Sequence, residues 1–303
     1  MRAGRLSGLI AAPFTPMHSG GEINIEAIRP YADWLVESGV SGVFICGTTG
    51  EGVSMTIAER CEVTQAWVKA SAGRLKVIVH VGTNCQTDAS ALAAHAQQAG
   101  ADAIASMSPN FFKPASVDDL VGWFEPVAAS APQLPFYYYN MPSMTGVNLP
   151  VDQFLIEGKK RIPTLAGVKF THNNLMEMNQ CLMLGDFEVL HGFDEILLCG
   201  LALGAEAAVG STYNYAGTVY KELMEAFASG DIERARELQQ YSVEIVKVII
   251  KYGGGVRGGK AIMKLIGLDC GECRLPISRF TVEEYESLKM DLEDISFFKR
   301  CIR

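Results

Sequence analysis

The feature that most constrains the fold is a series of short apolar segments, each followed by a stretch of helix type. Eight such segments recur along the chain, at 9–14, 42–47, 76–82, 103–108, 136–140, 165–170, 187–192 and 206–211. Strands that alternate with helices pair in parallel, and parallel strands buried on both faces appear as continuous apolar runs. Eight units within about 230 residues favour a (β/α)8 TIM barrel over an open sheet.

The pattern changes after the eighth unit. Three helix-type segments follow without an intervening strand, at 233–253, 258–268 and 281–302. Because no low-complexity linker separates them from the repeats, we expect them to pack on the barrel. We predict a catalytic barrel over residues 1–228 and a C-terminal helical region over residues 229–303.

The charge balance argues against two classes of partner. The chain has 26 Lys and Arg against 34 Asp and Glu, a net charge of -8. An acidic chain repels nucleic acid and anionic membrane surfaces, and no basic block offsets this. No apolar stretch reaches the ~18 residues that a membrane span needs. Pro13 and Pro16 interrupt the apolar N-terminal segment, so we predict no signal peptide, no membrane association and no nucleic-acid partner.

The cysteines and histidines give no sign of a metal site. Eight cysteines are dispersed over the chain, and dispersed cysteines without an export signal indicate reduced thiols in a cytoplasm. Cys270 and Cys273 form the one Cys-x-x-Cys pair, which has no second pair or nearby histidine to complete a zinc site. His80 lies inside an apolar strand and is interpreted as a satisfied interior histidine. We therefore predict no metal.

Lys169 is the first candidate for chemistry. It interrupts the sixth apolar segment, "LAGVKF" at 165–170, near the C-terminal strand ends where barrel active sites lie. One interpretation is a structural lysine paired with a barrel carboxylate. The other is a Schiff-base lysine, because burial disfavours the ammonium form and frees the amine to attack a carbonyl.

Two further strand ends supply polar groups beside Lys169. Tyr139 ends the fifth segment, so it belongs on the neighbouring strand at the same rim, where a phenol can transfer protons. Three consecutive tyrosines, 137–139, leave open which of them faces the site. The loop "GTTGEG" at 47–52 offers backbone N–H groups and the hydroxyls of Thr48 and Thr49 as a cradle for a carboxylate. A plain strand-to-helix turn is the alternative for that loop.

Four motifs carry a resemblance to a known family. The motifs "GTTGEG" at 47–52, "YYNMPSMTG" at 138–146, "GVKFT" at 167–171 and "GSTYN" at 210–214 occur in the order and spacing of one superfamily. The chain resembles the pyruvate-dependent class I aldolases of the dihydrodipicolinate synthase and N-acetylneuraminate lyase superfamily. The resemblance implies a barrel with a helical extension, a homotetramer, and no metal or organic cofactor.

The same resemblance implies roles for individual residues. Lys169 would form the imine with a keto acid, and Tyr139 would transfer the proton. Thr48 and Thr49 would hold the pyruvate carboxylate, and the backbone of Gly210 would face the bound keto acid.

The branch within the superfamily is indicated by the residues that would contact the substrate beyond its reacting carbon. Synthases of dihydrodipicolinate have an arginine for a second carboxylate where this chain has Met144. The segments "HGFDE" at 191–195 and "GSTYNYAG" at 210–217 look like those of the sialic acid lyases. That likeness implies that the keto acid carries a polyhydroxylated sugar tail. It also implies that Thr171 lies near the reacting hydroxyl. The residues that it implies for contacts to the tail are Gly192, Asp194, Glu195 and Ser211.

The expected reaction is therefore reversible cleavage of sialic acid to N-acetylmannosamine and pyruvate. Three alternatives stay open: a pyruvate aldolase for a sugar acid such as 2-keto-3-deoxygluconate, a dihydrodipicolinate synthase, and a non-catalytic barrel that binds a keto acid. The loop after the fourth segment departs from the family pattern, since Phe111 and Phe112 stand where many members have a tyrosine that reaches a neighbouring subunit. A hydrophobic subunit contact is expected there instead.

Overall fold

A computed structural model describes residues 5–302. Eight parallel strands close into a barrel in sequential order, with β1 paired to β8. The strands are β1 Gly8–Ala11, β2 Gly42–Ile45, β3 Lys76–His80, β4 Ala103–Met107, β5 Phe136–Asn140, β6 Leu165–Phe170, β7 Glu188–His191 and β8 Ala207–Gly210. Seven of the predicted apolar runs contain a strand and the first, 9–14, overlaps β1, so the predicted TIM barrel is confirmed.

Helices connect the strands and cover the barrel. Those within the repeats are α1 Ile28–Glu37, α2 Ile57–Ser71, α3 Gln86–Ala99, α4 Val117–Ala129, α5 Pro142–Thr145, α6 Val151–Arg161, α7 Leu175–Met183, α8 Leu197–Leu203 and α9 Tyr213–Ala228. Local chemistry fixes their ends. Thr56 and Glu59 form a capping box at the start of α2, and Gly100 ends α3 in the left-handed conformation, φ 88°.

Four helices follow the barrel. They are α10 Ile232–Lys251, α11 Gly254–Leu265, α12 Val282–Asp294 and α13 Phe297–Cys301. The segment 281–302 forms two helices rather than one, because Ser296 has a φ of 57° that an α-helix cannot contain. The division of the chain into a barrel and a helical region at 228/229 stays a prediction. Residues 1–4 of the first part and residue 303 of the second lie outside the described residues. None of the helices in residues 5–302 is long and apolar enough to cross a membrane.

The interior of the barrel is filled by side chains up to the level of the site. This inner cluster includes Leu6, Ile10, Phe44, Ile78, Ala103, Ala105, Met107, Tyr137, Leu190 and Val209. At the N-terminal end of β7, the carboxylate of Glu188 accepts the backbone N–H of Leu6 at 2.8 Å. The barrel interior is therefore a packed core below the C-terminal ends of the strands.

Candidate active site

A cavity of about 320 Å³ opens at the C-terminal ends of the strands. All ten residues that the sequence predicts for the site line it: Thr48, Thr49, Tyr139, Lys169, Thr171, Gly192, Asp194, Glu195, Gly210 and Ser211. They come from β2, β5, β6, β7 and β8 and the loops after them. The geometry brings these residues together, and the role of each stays a prediction.

Lys169 lies at the floor of this cavity. Its side chain is 5% exposed, and its amine donates a hydrogen bond to the hydroxyl of Thr171 at 2.9 Å. Within residues 5–302, no carboxylate lies within 4.0 Å of that amine. Of the described residues that line the cavity, Lys169 is also the one cation. The geometry therefore argues against the interpretation as a salt-bridged structural lysine and suits an amine that reacts with a carbonyl.

Tyr139 lies directly beside Lys169. The two residues are register partners on β5 and β6, and the lysine Nζ lies 3.8 Å from the centre of the tyrosine ring. The tyrosine hydroxyl is 3.2 Å from the hydroxyl of Thr48 and donates to the Met141 sulfur at 2.9 Å. Phe44 contacts the ring edge-to-face at 5.4 Å between ring centres. The phenol oxygen is thus held at the cavity, between the lysine and the loop after β2.

The structure distinguishes the three consecutive tyrosines. Tyr137 is in the inner cluster below the site and interacts with Glu188. Tyr138 points outward and packs against Phe124 and Phe154 between the barrel and its helices. Tyr139 alone among the three lines the cavity, as the alternation of side chains along a strand requires.

The loop after β2 is held in one conformation. Thr15 donates to the carbonyl of Gly50 at 2.6 Å, and the N–H of Gly52 donates to the carbonyl of Gly47 at 3.0 Å. A Cβ at Gly52 would lie 1.8 Å from the carbonyl oxygen of Cys46, so only glycine fits there. Thr48 and Thr49 are therefore presented on a rigid turn, as a cradle for a carboxylate requires.

Asp194 and Glu195 form the acidic side of the cavity. One oxygen of the buried Asp194 carboxylate accepts the N–H and the hydroxyl of Thr212, at 2.9 and 2.6 Å. Burial raises the pKa of Asp194, and the hydrogen bonds from Thr212 oppose this shift. Burial likewise raises the pKa of Glu195, with the neighbouring Asp194 adding to the shift. Two acceptors beyond the reacting amine suit a ligand that carries several hydroxyls.

Two glycines make room for these polar groups. A Cβ at Gly210 would lie 1.8 Å from the Asp194 carboxylate, and a Cβ at Gly192 would lie 2.3 Å from the Thr171 hydroxyl. Both positions exclude every side chain other than hydrogen. Because these two glycines have no side chain, they leave the space that the Thr171 hydroxyl and the Asp194 carboxylate occupy.

The sequence analysis missed part of the cavity wall. Met141 and Thr212 both lie in the quoted motifs, but their contacts to Tyr139 and Asp194 depend on loop geometry. The mouth is lined by Val246, Ile249 and Ile250 of α10. The spacing of these three residues along one helix face is the sequence pattern that could have identified this apolar wall.

Other predicted residues lie outside the cavity. Met144 is on α5, 61% exposed. Phe111 and Phe112 are exposed and contact each other edge-to-face. His80 is buried, with Nδ1 3.0 Å from the Cys46 carbonyl and Nε2 accepting from the backbone; burial lowers its pKa to about 3. The described residues include no cluster of three potential metal ligands.

The fold and the site define a class: a TIM barrel whose catalytic-face cavity is centred on a buried lysine beside a tyrosine, with a hydroxyl-lined loop on one side and two acids on the other. The chain belongs to the dihydrodipicolinate synthetase family, whose sequence model matches residues 5–295.

Several relatives of this chain are N-acetylneuraminate lyases. N-acetylneuraminate lyase A of Xenopus laevis is 44% identical over 294 residues, which are 96% of this chain and 94% of the relative. N-acetylneuraminate lyase of Gallus gallus is 42% identical over 297 residues, 96% of each chain. Among solved structures, Proteus mirabilis N-acetylneuraminate lyase superposes with a TM-score of 0.93 at 40% identity, covering 96% of this chain and 99% of that one.

Proposed function

We propose that this chain is an N-acetylneuraminate lyase, a class I aldolase that reversibly cleaves sialic acid to N-acetylmannosamine and pyruvate. The observation that carries the proposal is the unpaired, buried amine of Lys169, 2.9 Å from Thr171 and 3.8 Å from the Tyr139 ring. Relatives of that name at 41–44% identity support it.

The first step joins the keto acid to Lys169. The amine attacks the keto carbon, C2, of the open-chain sugar acid, and loss of water leaves a C=N bond. Thr48 and Thr49 bind the carboxylate beside that carbon. Thr171 has an oxygen that already accepts from Lys169, so its own O–H is free to donate to the substrate.

The second step breaks the C3–C4 bond. In the first step the phenol of Tyr139 gives its proton to the hydroxyl that leaves as water, so that its oxygen can now accept the proton of the C4 hydroxyl. The electrons of the C3–C4 bond move into the C=N group, and the sugar leaves as an aldehyde. Tyr139 returns the proton to C3 of the enamine, and water then releases pyruvate from Lys169. Asp194, Glu195, Ser211 and the backbone of Gly192 bind the hydroxylated tail, and the backbone of Gly210 faces the keto acid.

Two assembly statements belong to the same proposal. We propose a homotetramer, supported by the exposed pair Phe111 and Phe112, whose side chains are 77% and 86% exposed in a single chain. We also propose a cytoplasmic location, supported by eight cysteines that are all free thiols.

Reductive trapping tests the proposal. Incubation with pyruvate and sodium cyanoborohydride should add one reduced pyruvate per chain, and peptide mapping should place it on Lys169. Lys169→Ala should lose both labelling and turnover. Labelling at another lysine, such as Lys260, would contradict the assignment. Faster turnover of 2-keto-3-deoxygluconate than of sialic acid would keep the aldolase and overturn the substrate.

A further inference from the structure

We propose that the buried ion pair between Glu51 and Lys260 positions the turn of Thr48 and Thr49, and through it sets the affinity for the keto-acid carboxylate. The inference rests on the proposed function and deepens it. Neither charged side chain belongs to the cavity lining found in residues 5–302. Glu51 and Lys260 are therefore positioning residues, which act through the turn and do not touch the substrate.

The ion pair is fully buried and fully satisfied. Lys260 Nζ lies 2.8 Å from Glu51 Oε1, and each side chain is 2% exposed. The second carboxylate oxygen accepts the backbone N–H of Arg274 at 2.8 Å, and Lys260 also donates to the carbonyl of Glu272 at 3.0 Å. Each charge thus has its partner and an additional hydrogen bond, the arrangement that a buried pair needs.

Glu51 is joined directly to the turn that it holds. Its backbone N–H donates to the carbonyl of Thr48 at 3.0 Å, and its φ of 54° lies in the left-handed region that non-glycine residues rarely adopt. A residue keeps such a conformation only when its surroundings hold it there. The side-chain contacts of Glu51 hold its backbone in this conformation. Thr49 lies two positions before it in the same turn.

The partners of the Glu51 side chain belong to the C-terminal helical region. Lys260 lies on α11, whose Gly255 lines the cavity. Arg274 donates from its guanidinium to the carbonyls of Ser54 and Gly21 at 2.8 and 2.7 Å. The segment 270–274 therefore contacts the loop after β2. Helix α11 supplies Lys260 to these contacts and Gly255 to the cavity wall.

Removing one charge from this pair leaves the other buried without a partner. Such a charge draws in water or moves toward solvent, because the interior does not stabilise it. Glu51 can move only if the turn moves with it, since its backbone is part of the turn. The donors of Thr48 and Thr49 then lose their alignment with the carboxylate, while Lys169 and the acids after β7 stay in place on other strands.

The experiment compares two ketones in trapping with cyanoborohydride. Pyruvate carries the carboxylate; pyruvamide keeps the ketone and the shape without the charge. The variants are Lys260→Met, Glu51→Gln and the double variant. Arg257→Met is the matched control, because it removes another ion pair of the same helix, Arg257–Glu284 at 2.7 Å, away from the turn.

We expect Lys260→Met to raise the pyruvate concentration for half-maximal trapping by about 10-fold or more, since breaking a buried pair is strongly unfavourable. Trapping of pyruvamide and the KM for N-acetylmannosamine should change by less than about 3-fold, as expected for contacts that the turn does not make. The double variant should recover at least about 3-fold of the loss, because it leaves no unpaired charge. Arg257→Met should resemble the parent.

The outcomes separate this inference from the proposed function. Equal losses for both ketones, or unchanged pyruvate affinity in the folded variants, overturn the positioning role. The isosteric Glu51→Gln gives the same comparison if Lys260→Met does not fold. If the parent chain itself traps no pyruvate, the proposed function fails and this inference fails with it.

Discussion

The substitution Gly210→Ala tests how the tail-binding side of the cavity is built. A Cβ at this position would lie 1.8 Å from the Asp194 carboxylate, whereas real Cβ contacts essentially never fall below 3.0 Å. The carboxylate must therefore move by at least about 1.2 Å. It cannot do so freely, because its other oxygen is held by two hydrogen bonds from Thr212, at 2.9 and 2.6 Å.

The displacement sets the expected size of the effect. A misplacement of about 1 Å in a binding or catalytic group costs on the order of 10²-fold in rate. We therefore expect kcat/KM for sialic acid cleavage to fall about 100-fold in Gly210→Ala. Trapping of pyruvate at Lys169 should change by less than about 5-fold, since the hydrogen bonds of Lys169 and Thr48, to Thr171 and Tyr139, do not involve the displaced carboxylate.

The assay is pyruvate release coupled to its reduction, with trapping measured in parallel. Gly255→Ala is the matched control in the same cavity, because its Cβ would meet only Ser211 Oγ at 3.2 Å. The double variant Gly210→Ala, Asp194→Ala should be no worse than Asp194→Ala alone, since the clash has been removed. A double variant much worse than Asp194→Ala, or an equal loss of trapping, would refute the reasoning.

Three further predictions follow from the geometry. Tyr139→Phe should lower the cleavage rate by about 10²- to 10⁴-fold, whereas Tyr137→Phe, below the site, should have a much smaller effect; equal effects would mean that the proton-transferring group is misassigned. Because Met144 offers no positive charge for a second carboxylate, the chain should not condense pyruvate with aspartate semialdehyde at a useful rate, which a direct condensation assay checks. Burial lowers the pKa of His80 to about 3 from 6.5, so the unfolded chain binds this proton first and stability falls as pH drops below 6.5. From pH 8 to pH 5 this group alone should remove about 2 kcal/mol from the free energy of unfolding, and His80→Gln should flatten that slope in denaturant titrations.

The sequence was sufficient for the barrel because parallel strands buried on both faces leave uninterrupted apolar runs, and each of the eight runs coincides with or overlaps a strand. The candidate site followed from the same topology. In a closed parallel barrel the C-terminal ends of all strands meet at one rim, so the polar residues that end the runs become neighbours. Lys169 and Tyr139 met this criterion from position alone, as did the polar residues after the seventh and eighth segments, and the resemblance added their expected roles.

What the sequence could not supply depends on contacts between distant segments. Glu51 and Lys260 are 209 positions apart, and nothing in either local sequence announces the pair. The α10 wall at the cavity mouth depends on how a helix outside the repeats is oriented. The two helices within 281–302 are separated by the backbone of Ser296, a residue type with no strong preference for that conformation. Such features are decided by packing rather than by periodicity.

The packed interior below Lys169 closes the inner end of the cavity, and the α10 residues, including the exposed Ile250, lie at its outer side. For the proposed cleavage this imposes an order of departure. The sugar aldehyde lies nearer the mouth and is free once the C–C bond breaks, whereas pyruvate stays attached to Lys169 at the closed end until water reaches the imine. The sugar therefore leaves first and pyruvate second. A cell that accumulates pyruvate will hold part of the enzyme in its last covalent state, and the pace of the cycle will follow how quickly pyruvate is consumed elsewhere.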